Sequence, residues 1–494
     1  MSNMSENKEY FFERTSPESV GLPSYTISGL LNNLEKENIE LHSIMILRHG
    51  KVCAEGWWQP YSKNQLHNVH SFTKSFVSSA FGMLVEEGKA STEDYVLSYF
   101  PEEAPENPSE NLKNIKVRHL LSMSCGHHEE PRIRDKDFVK AFLSHPVDHE
   151  PGIYFRYNSS ATHLVSRIIH KITGKDFLEF LEDRLFKPMG FGEMSCSLNV
   201  DGFPSGGGGL ALKTEDMAKL AQIYLNNGKW NGEELIPEKW IETATKPQVD
   251  NSNGEHRDGN EDWEAGYGYQ MWMNKNRHSY RFDGAFGQEA FVCPDEDLAV
   301  IFTAASYRLG DIFELIRRYI LNNLSDAALP ENAGAAEELK NKLDSLTLPE
   351  LKVTSKSLMQ DAASGKKLKL QKNNLTFIAS GSFMNEPILE GATAITPIFE
   401  GNSLSLLIEN EEKSVTLNAG MNGEAIKNVI ETEKDALELY ASAKWLDQNI
   451  LSVTYRTLKI VRSTNLIITY HLNDADISVE HPLRGKAETI KATY

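Results

Sequence analysis

The residues that could carry out chemistry begin with Ser71 and Lys74, which form a Ser-x-x-Lys pattern at the start of an amphipathic segment. Residues three apart on a helix lie on one face, so the hydroxyl and the amine can touch. A serine hydroxyl is a weak nucleophile until a neighbouring group takes its proton, and a lysine with a lowered pKa can do so. The pair therefore predicts nucleophilic attack by Ser71 with Lys74 as the proton acceptor.

The Ser-x-x-Lys pattern alone is not specific, and the chain contains two further matches. Ser5 precedes Lys8 in a polar N-terminal tail, and Ser364 precedes Lys367 in a stretch rich in glycine and lysine. Neither match opens an amphipathic helix. The apolar residues at helical spacing in 71–88 favour Ser71 as the functional serine.

Two later segments carry groups that could complete a site around Ser71. Tyr157 lies in a loop before a predicted helix, where its phenol could act as a base and then as an acid toward a leaving group. Gly284 lies in a predicted strand, where the missing side chain would let a substrate lie along the backbone. The amides of Ala285 and Ser71 could then form an oxyanion hole.

The elements that must position these residues alternate along the first 325 residues. Strands are predicted near both ends and helices between them, which is typical of one antiparallel sheet with a separate helical lobe and a cleft between them. The predicted strands are 43–47, 52–57, 267–273, 280–283, 289–292 and 299–303. The predicted helices are 26–38, 71–88, 117–122, 136–144, 160–173, 176–185, 214–227, 237–245 and 311–323.

The C-terminal part of the chain has a different pattern. We predict a first domain over residues 1–330, a linker with a charged helix over 331–351, and an all-β domain over 352–494. The second domain is expected to be a barrel or a sandwich, a lipocalin-like barrel being one form. The short β runs that support it are 375–379, 394–399, 404–408, 414–417, 451–458 and 466–470. The predicted fold class is thus α+β followed by all-β.

Composition disfavours several classes of protein. The chain has 51 Lys and Arg against 70 Asp and Glu, a net charge of −19, which disfavours binding to nucleic acid. No apolar run is long enough for a membrane span, and the polar start lacks the features of a secretory signal. Four widely spaced cysteines are typical of free, mostly buried thiols in a reducing compartment. A cytoplasmic location is expected, without nucleic-acid or membrane partners, and no pattern indicates an oligomeric state.

The order and spacing of several segments resemble the serine β-lactamase and penicillin-binding-protein-like hydrolases. The chain is most similar to the class C-related branch, which includes esterases, D-amino-acid peptidases and 6-aminohexanoate-oligomer hydrolases. The resemblance covers roughly residues 14–325. It is carried by SPESVGL (16–22), ILRHGKV (46–52), HSFTKSF (70–76), YFPEE (99–103), HLLSMSCG (119–126), YNSSATHLVSRIIHKITG (157–174), GGGGLALKTEDMAKLAQIYLNNGKW (206–230), AGYGYQMW (265–272) and FGQEAFVCPDEDLAVIFTA (286–304).

This resemblance implies a role for each matching residue and a β-lactamase-like sheet flanked by helices. Ser71 resembles the acylated nucleophile, Lys74 its proton partner, and Tyr157 the general acid/base. The amides of Ser71 and Ala285 resemble the oxyanion hole. The reaction would need no metal and no cofactor, and water would hydrolyse an acyl-enzyme formed from a small molecule or a peptide.

Two departures from the family pattern bear on the substrate. Ser159 stands where Asn is frequent, and Phe282 stands where Lys or His precedes Thr-Gly. Phe282 removes a cation that would hold a substrate carboxylate, and Arg281 beside it should point to the other face of the strand. The sequence therefore favours ester or amide hydrolysis over β-lactamase or D,D-peptidase activity. Two further functions stay open, namely a ligand-binding sensor on the same fold that does not turn over, and an all-β domain that is itself the functional unit.

Substrate contacts are predicted for four residues near these motifs, Ser159, Phe282, Gly284 and Gln288. Gln288 could equally satisfy a buried turn. The loops 126–135 and 250–265 are expected to set the shape of the pocket.

The histidines near the motifs have structural interpretations as well as functional ones. The run His127, His128, Glu129 and Glu130 could suggest a metal site, but the side chains of sequential histidines diverge, so a shared ion is disfavoured. His70 is adjacent to Ser71, and neighbouring residues seldom form the hydrogen bond that a catalytic base needs.

Overall fold

The computed structural model describes residues 9–252, 261–276, 278–380, 386–432, 436–484 and 486–494. The Ser5 and Lys8 match and residues 253–260 of the predicted pocket loop lie outside the described residues. The α-helices of the described part are α1 Ser24–Lys36, α2 Thr73–Glu86, α3 Val96–Tyr99, α4 Glu110–Lys113, α5 Val117–Leu121, α6 Phe138–Leu143, α7 Ser159–Thr173, α8 Phe177–Leu181, α9 Thr214–Leu225, α10 Glu238–Ala244, α11 Leu309–Tyr319, α12 Ala333–Asp344 and α13 Met359–Ala363. Its strands are β1 Leu41–Arg48, β2 Lys51–Trp57, β3 His67–Asn68, β4 Ser195–Cys196, β5 Leu210–Leu212, β6 Lys229–Trp230, β7 Glu233–Glu234, β8 Trp272–Met273, β9 Tyr280–Gly284, β10 Gln288–Cys293, β11 Leu298–Ala304, β12 Leu368–Leu370, β13 Thr376–Ser380, β14 Glu386–Glu390, β15 Ala394–Glu400, β16 Ser403–Glu409, β17 Ser414–Gly420, β18 Ile426–Glu431, β19 Ala436–Asp447, β20 Ile450–Thr457, β21 Arg462–Tyr470, β22 Asp474–His481 and β23 Lys486–Thr493.

The first sheet is antiparallel and combines strands from both ends of the first 325 residues, as the sequence predicts. Its order is β2-β1-β11-β10-β9-β8, with β1 paired to β11. Successive side chains of β1 point to opposite faces. Met45 and Leu47 join the core of α2 and α9, whereas Ile44 and Ile46 join the core of α1 and α11. Helices therefore cover both faces of the sheet.

The helical lobe is organised around α2. Every residue from Thr73 to Leu84 is buried, as expected for a helix that is surrounded by other helices. At Gly82 the neighbouring helix α10 comes so close that a Cβ would lie 2.2 Å from the Trp240 ring. The predicted helix 71–88 starts later than expected, because Ser71 belongs to a separate 3₁₀ turn, His70–Phe72.

One predicted strand is largely absent. Of residues 267–273, only Trp272–Met273 pairs with the sheet. Gln270 has a φ of 72°, and its backbone N–H donates to the Leu121 carbonyl at 3.0 Å. This segment is thus attached to α5 of the helical lobe. Tyr269 packs in the core of that lobe and Tyr267 packs in a small cluster with Met123 and Phe155, so neither side chain reflects sheet pairing.

The C-terminal part forms a closed barrel of nine strands, which confirms the all-β prediction and selects a barrel over a sandwich. The ring runs β17-β16-β15-β12-β23-β22-β21-β20-β19, and Gly420 of β17 pairs with Ser442 of β19 to close it. Alternate residues of β16, such as Leu404, Leu406 and Ile408, fill the interior. Strands with fewer apolar residues, such as β23, were not predicted because their outward side chains are charged or polar.

Several further features bear on the sequence predictions. The charged linker helix is present as α12, while the domain boundaries at 330 and 351 stay predictions. All four cysteines are free thiols, and three of them are buried, as predicted. Within the described residues, no helix combines the length and the apolar character that crossing a bilayer requires.

Candidate active site

Ser71 lies in the 3₁₀ turn that immediately precedes α2 and is partly exposed. The residue before it, His70, has a φ of 48°, a left-handed conformation that non-glycine residues rarely adopt. Two hydrogen bonds hold this conformation. The His70 N–H donates to Asn68 Oδ1 at 2.8 Å, and Thr73 Oγ1 donates to the His70 carbonyl at 2.7 Å. The strained turn thereby fixes the direction of the Ser71 side chain.

Lys74 reaches Ser71 from the first turn of α2, as the spacing predicts. Its Nζ donates to Ser71 Oγ at 2.9 Å and to Ser159 Oγ at 3.2 Å. The carbonyl of Gly207 accepts a further short hydrogen bond from the same amine. All three donor positions of the amine are therefore directed to oxygen atoms of the site.

The environment of Lys74 makes its amine a candidate base. The residue is 1% exposed, and burial lowers its pKa to about 7. The carboxylates of Glu130 and Asp283 oppose this effect without reversing it. A large fraction of the amine is thus uncharged near neutral pH and able to accept a proton.

Tyr157 completes the group around Ser71. The phenol is hydrogen-bonded to Ser71, and Lys74 Nζ lies 5.0 Å from the centroid of its ring. The ring stacks on Trp272 at a centroid distance of 5.7 Å. Burial, followed by the charge of Asp283, raises the pKa of Tyr157, so the phenol keeps its proton at neutral pH.

The residues after Tyr157 position the start of α7. Asn158 is the N-cap, and its Oδ1 accepts the N–H of Ala161 at 2.9 Å. The N–H of Ser159 donates to Glu130 Oε1 at 2.7 Å. Glu130, which the sequence named only as a member of a disfavoured metal site, is thereby fixed beside Lys74.

The glycine run 206–209 supplies the backbone oxygen that holds Lys74. A Cβ on Gly207 would lie 2.7 Å from the Ser159 carbonyl, and a Cβ on Gly206 would lie 2.9 Å from the Ser166 side chain. The loop therefore fits closely against α7. A run of glycines by itself indicates only a flexible loop, so the place of residues 206–209 in the family resemblance was the one sequence signal of a role.

Strand β9 lies directly against the segment that leads to Ser71. A Cβ on Gly284 would lie 2.1 Å from the Val69 carbonyl, so only glycine allows this approach. Ala285 begins the turn to β10 and is partly exposed. The space left by the missing side chain of Gly284 is thus filled by the Val69 carbonyl and not by a substrate, which corrects the prediction, while Ala285 lies at the edge of the site.

Two predicted substrate contacts are not at the cleft surface. Phe282 is fully buried, with its ring 5.5 Å from that of Phe72, so the prediction that it contacts substrate is wrong. Gln288 is also fully buried, and its Nε2 donates to Ala304 at 2.8 Å and to Ala285 at 3.2 Å. It therefore satisfies a buried turn, the second of the two roles that its position in the sequence allowed.

The charged residue that β9 directs toward the site is Asp283. It lies on the face opposite to Phe282, and its carboxylate acts electrostatically on Lys74 and on the phenol of the site. Arg281 shares that face but is fully buried beside the Trp263 ring, and its Nε donates to Asp283 at 3.2 Å. Sequence reasoning missed Asp283 because it considered only a cation two residues before Gly284.

The histidines named above pack mainly against aromatic rings. The His70 ring lies 5.5 Å from that of Phe286, and burial lowers its pKa to about 4. His127 is buried, 5.2 Å from the ring of Phe142. The predicted pocket loop 126–135 contributes Glu130 to the site.

Comparison with known proteins agrees with the fold described above. The profile of the Beta-lactamase family matches residues 34–322, more than half of the chain. The 6-aminohexanoate-dimer hydrolase of Paenarthrobacter ureafaciens is 21% identical over an alignment 286 residues long, which covers 52% of this chain and 71% of that protein.

Two solved structures share the fold. A Bacillus anthracis protein provisionally assigned as a 6-aminohexanoate-dimer hydrolase has a TM-score of 0.52 at 18% identity, covering 66% of this chain and 90% of its own. A hydrolase with promiscuous acyltransferase activity has a TM-score of 0.50 at 16% identity, covering 60% of this chain and 98% of its own.

Proposed function

The chain belongs to the Beta-lactamase family, and from this premise we propose that it is a serine hydrolase that cleaves an ester or amide bond through an acyl-enzyme on Ser71. The observation that carries the proposal is the meeting of three side chains. Lys74 Nζ lies 2.9 Å from Ser71 Oγ, and Tyr157 is hydrogen-bonded to the same hydroxyl. The three proteins compared above all carry hydrolase in their names, which supports hydrolysis as the class of reaction.

Acylation follows from the positions and protonation states of these groups. Uncharged Lys74 accepts the Ser71 proton while Oγ attacks the carbonyl carbon of the substrate. The amides of Ser71 and Ala285 stabilise the negative charge on the carbonyl oxygen. Tyr157, which keeps its proton, donates it as the bond to the leaving group breaks, and the ammonium of Lys74 then returns the proton to the phenolate.

Deacylation reverses these roles with water as the nucleophile. Lys74, again uncharged, removes a proton from a water that attacks the acyl carbon, and the proton returns to Ser71 Oγ as the ester bond breaks. The residues of the chain supply every proton transfer in this scheme.

The charge of the site favours particular substrates. Glu130 and Asp283 both act electrostatically on Lys74, and within the described part of the chain only Asp283 of the two is paired with a cation, Arg281, so the field at the amine is negative. A substrate carboxylate beside them would be repelled, at a cost that grows in a site partly shielded from water. This favours esters and amides without an adjacent carboxylate over β-lactams and D,D-peptides.

Steady-state turnover distinguishes the proposed hydrolase from a sensor on the same fold. We expect p-nitrophenyl butyrate to be hydrolysed over many turnovers, and a chromogenic cephalosporin to be hydrolysed more slowly or not at all. A burst of one equivalent of p-nitrophenol without a steady state would instead support the sensor.

The pH profile of kcat/KM tests Lys74 as the base. Activity should rise with pH and reach half its plateau near pH 7, because the uncharged amine is the active form. Glu130 stabilises the charged amine, so Glu130→Gln should move this midpoint to lower pH, by roughly one unit or less. Gln keeps an oxygen for the Ser159 N–H, which preserves the start of α7.

The neighbouring exposed carboxylate provides the matched control for this variant. Glu129→Gln removes the same charge one residue away, at a position that does not act on Lys74, and should leave the midpoint unchanged. A midpoint that moves to higher pH in Glu130→Gln, or that moves equally in both variants, would contradict the assignment of the base.

A further inference from the structure

A turn of the C-terminal barrel contacts the segment that leads into Ser71. This turn, residues 458–461, joins β20 to β21, and we call it the barrel tip. The backbone N–H of Asn68 donates to the Lys459 carbonyl at 2.6 Å. Asn68 precedes Ser71 by three residues, so the barrel reaches the immediate approach to the candidate nucleophile.

The contact completes the outer edge of a small sheet. Strand β3, His67–Asn68, is the edge strand of the order β3-β5-β4, and its inner edge pairs with β5. The N–H of Asn68 points outward, where an edge strand otherwise needs water or another chain as a partner. The Lys459 carbonyl fills that place, so the barrel tip acts as an additional partner of β3.

An apolar anchor holds the barrel tip in position. Leu458 is 4% exposed and belongs to the hydrophobic cluster beneath α1 and α11, which also contains Leu41, Trp58 and Tyr61. It is not part of the cluster that fills the barrel interior. Its burial therefore stabilises the contact between the barrel and the first sheet rather than the barrel itself.

A buried ionic network provides a second anchor. The Arg456 guanidinium, with a side chain 5% exposed, bonds Glu40 at 2.7 Å and also Glu350. Glu40 is in turn 2.9 Å from His42 Nε2, and His42 Nδ1 is 2.8 Å from His67 Nε2. The barrel thus contacts both residues of β3. It reaches His67 through the side chains of Arg456, Glu40 and His42, and it reaches Asn68 through a backbone hydrogen bond.

We propose that the barrel tip positions the nucleophile. By holding β3 from outside, it fixes the backbone that gives His70 its left-handed conformation and directs Ser71 toward Lys74. Arg456 and Leu458 are positioning residues in this scheme and touch neither the substrate nor the reacting atoms. The inference rests on the proposed function for the reaction whose rate it affects.

Kinetics of the full-length protein test this role. We expect Leu458→Ala and Arg456→Met to lower kcat and the rate of Ser71 labelling by a fluorophosphonate by about 10- to 100-fold, since a displacement of about 1 Å can have this effect. KM should stay within about twofold, because the barrel tip does not bind substrate. Arg456→Lys, which keeps one charge for Glu40, should recover part of the rate.

Two control variants separate positioning from general damage. Lys459→Ala should keep the wild-type kcat and labelling rate, because this residue contributes its backbone carbonyl and its side chain is exposed. Leu472→Ala truncates a leucine that is 93% exposed in another turn of the barrel. This variant should also keep the wild-type kcat and labelling rate.

Amide hydrogen exchange supplies a readout that does not depend on activity. Exchange at Asn68 and His70 should accelerate in Leu458→Ala, while amides of the barrel strands stay protected. The inference would be overturned if Leu458→Ala kept the wild-type labelling rate, the wild-type kcat and the wild-type exchange rate at Asn68. A wild-type protein that is neither labelled nor active would instead overturn the proposed function, and exchange would still show whether the barrel tip holds β3.

Discussion

Ser71→Ala should abolish labelling by a fluorophosphonate and lower kcat by a factor on the order of 10⁶, as loss of the nucleophile does in a comparable serine enzyme. The reason is that Lys74 and Tyr157 move protons but cannot replace the covalent step. The fold should be retained, since Ser71 is partly exposed and its side-chain partners are confined to the site. Intact-mass analysis of the labelled protein measures this directly.

The chain contains its own matched control for this experiment. Ser364 also precedes a lysine by three residues, but its Oγ accepts the Phe399 N–H at 3.1 Å and Lys367 bonds Glu409. Ser364→Ala should therefore keep wild-type labelling and turnover. Persistent labelling and turnover in Ser71→Ala would disprove the acyl-enzyme mechanism.

Lys74→Met should lower kcat by about 10³ or more while leaving the protein at least as stable as the wild type. The loss of activity follows from removing the base that accepts the Ser71 proton. Unfolded lysine is charged at pH 7, whereas burial lowers the pKa of folded Lys74 to about 7, so folding at this pH opposes its protonation. Methionine has a similar shape and carries no such cost, each tenfold change in proton affinity being worth about 1.4 kcal/mol.

The sign of the pH dependence checks this argument. Between about pH 7 and the ordinary pKa of lysine, the unfolded wild type binds more protons than the folded form, so its stability should rise with pH. Lys74→Met should lack this rise. Thermal unfolding at several pH values measures the difference.

A second buried lysine provides the contrasting variant. Lys219 is fully buried and forms an ion pair with Asp216 at 2.7 Å, away from the site. Lys219→Met leaves that carboxylate buried without its partner, which should cost about 3–5 kcal/mol of stability. Its kcat should be unchanged below the unfolding temperature. The proposed role of Lys74 would be wrong if Lys74→Met kept its kcat while Lys219→Met lost it.

The first sheet and the helical lobe follow from the sequence because their signals are local. Apolar residues at helical spacing predicted α2 and α7, and short apolar runs predicted β1 and β11. The strands of the barrel were predicted less completely, because strands such as β23 place charged or polar residues on the solvent side. Its closure through Gly420 and Ser442 joins distant segments that no local pattern connects.

The approach of Ser71, Lys74 and Tyr157 to one another was anticipated from spacing and resemblance, and the structure brings them together. The predicted substrate contact of Phe282 was wrong, because the place of a residue in a motif does not reveal which face of β9 lines the site. The charge there comes from Asp283 instead. Which side chain of β9 points to the site depends on which face of the strand packs against the core. This is a property of the assembled sheet.

The pairing of the candidate nucleophile with its amine could be predicted from local signals, because residues three apart at the start of a helix lie close together and, of the three Ser-x-x-Lys matches, the one at Ser71 precedes an amphipathic helix. The groups that surround this pair could be identified only from the folded chain, namely the Gly207 carbonyl, the carboxylates of Glu130 and Asp283, and the barrel tip. These groups come from loops and strands far apart in the chain. Their positions depend on burial and hydrogen bonding that exist only after the whole chain has folded.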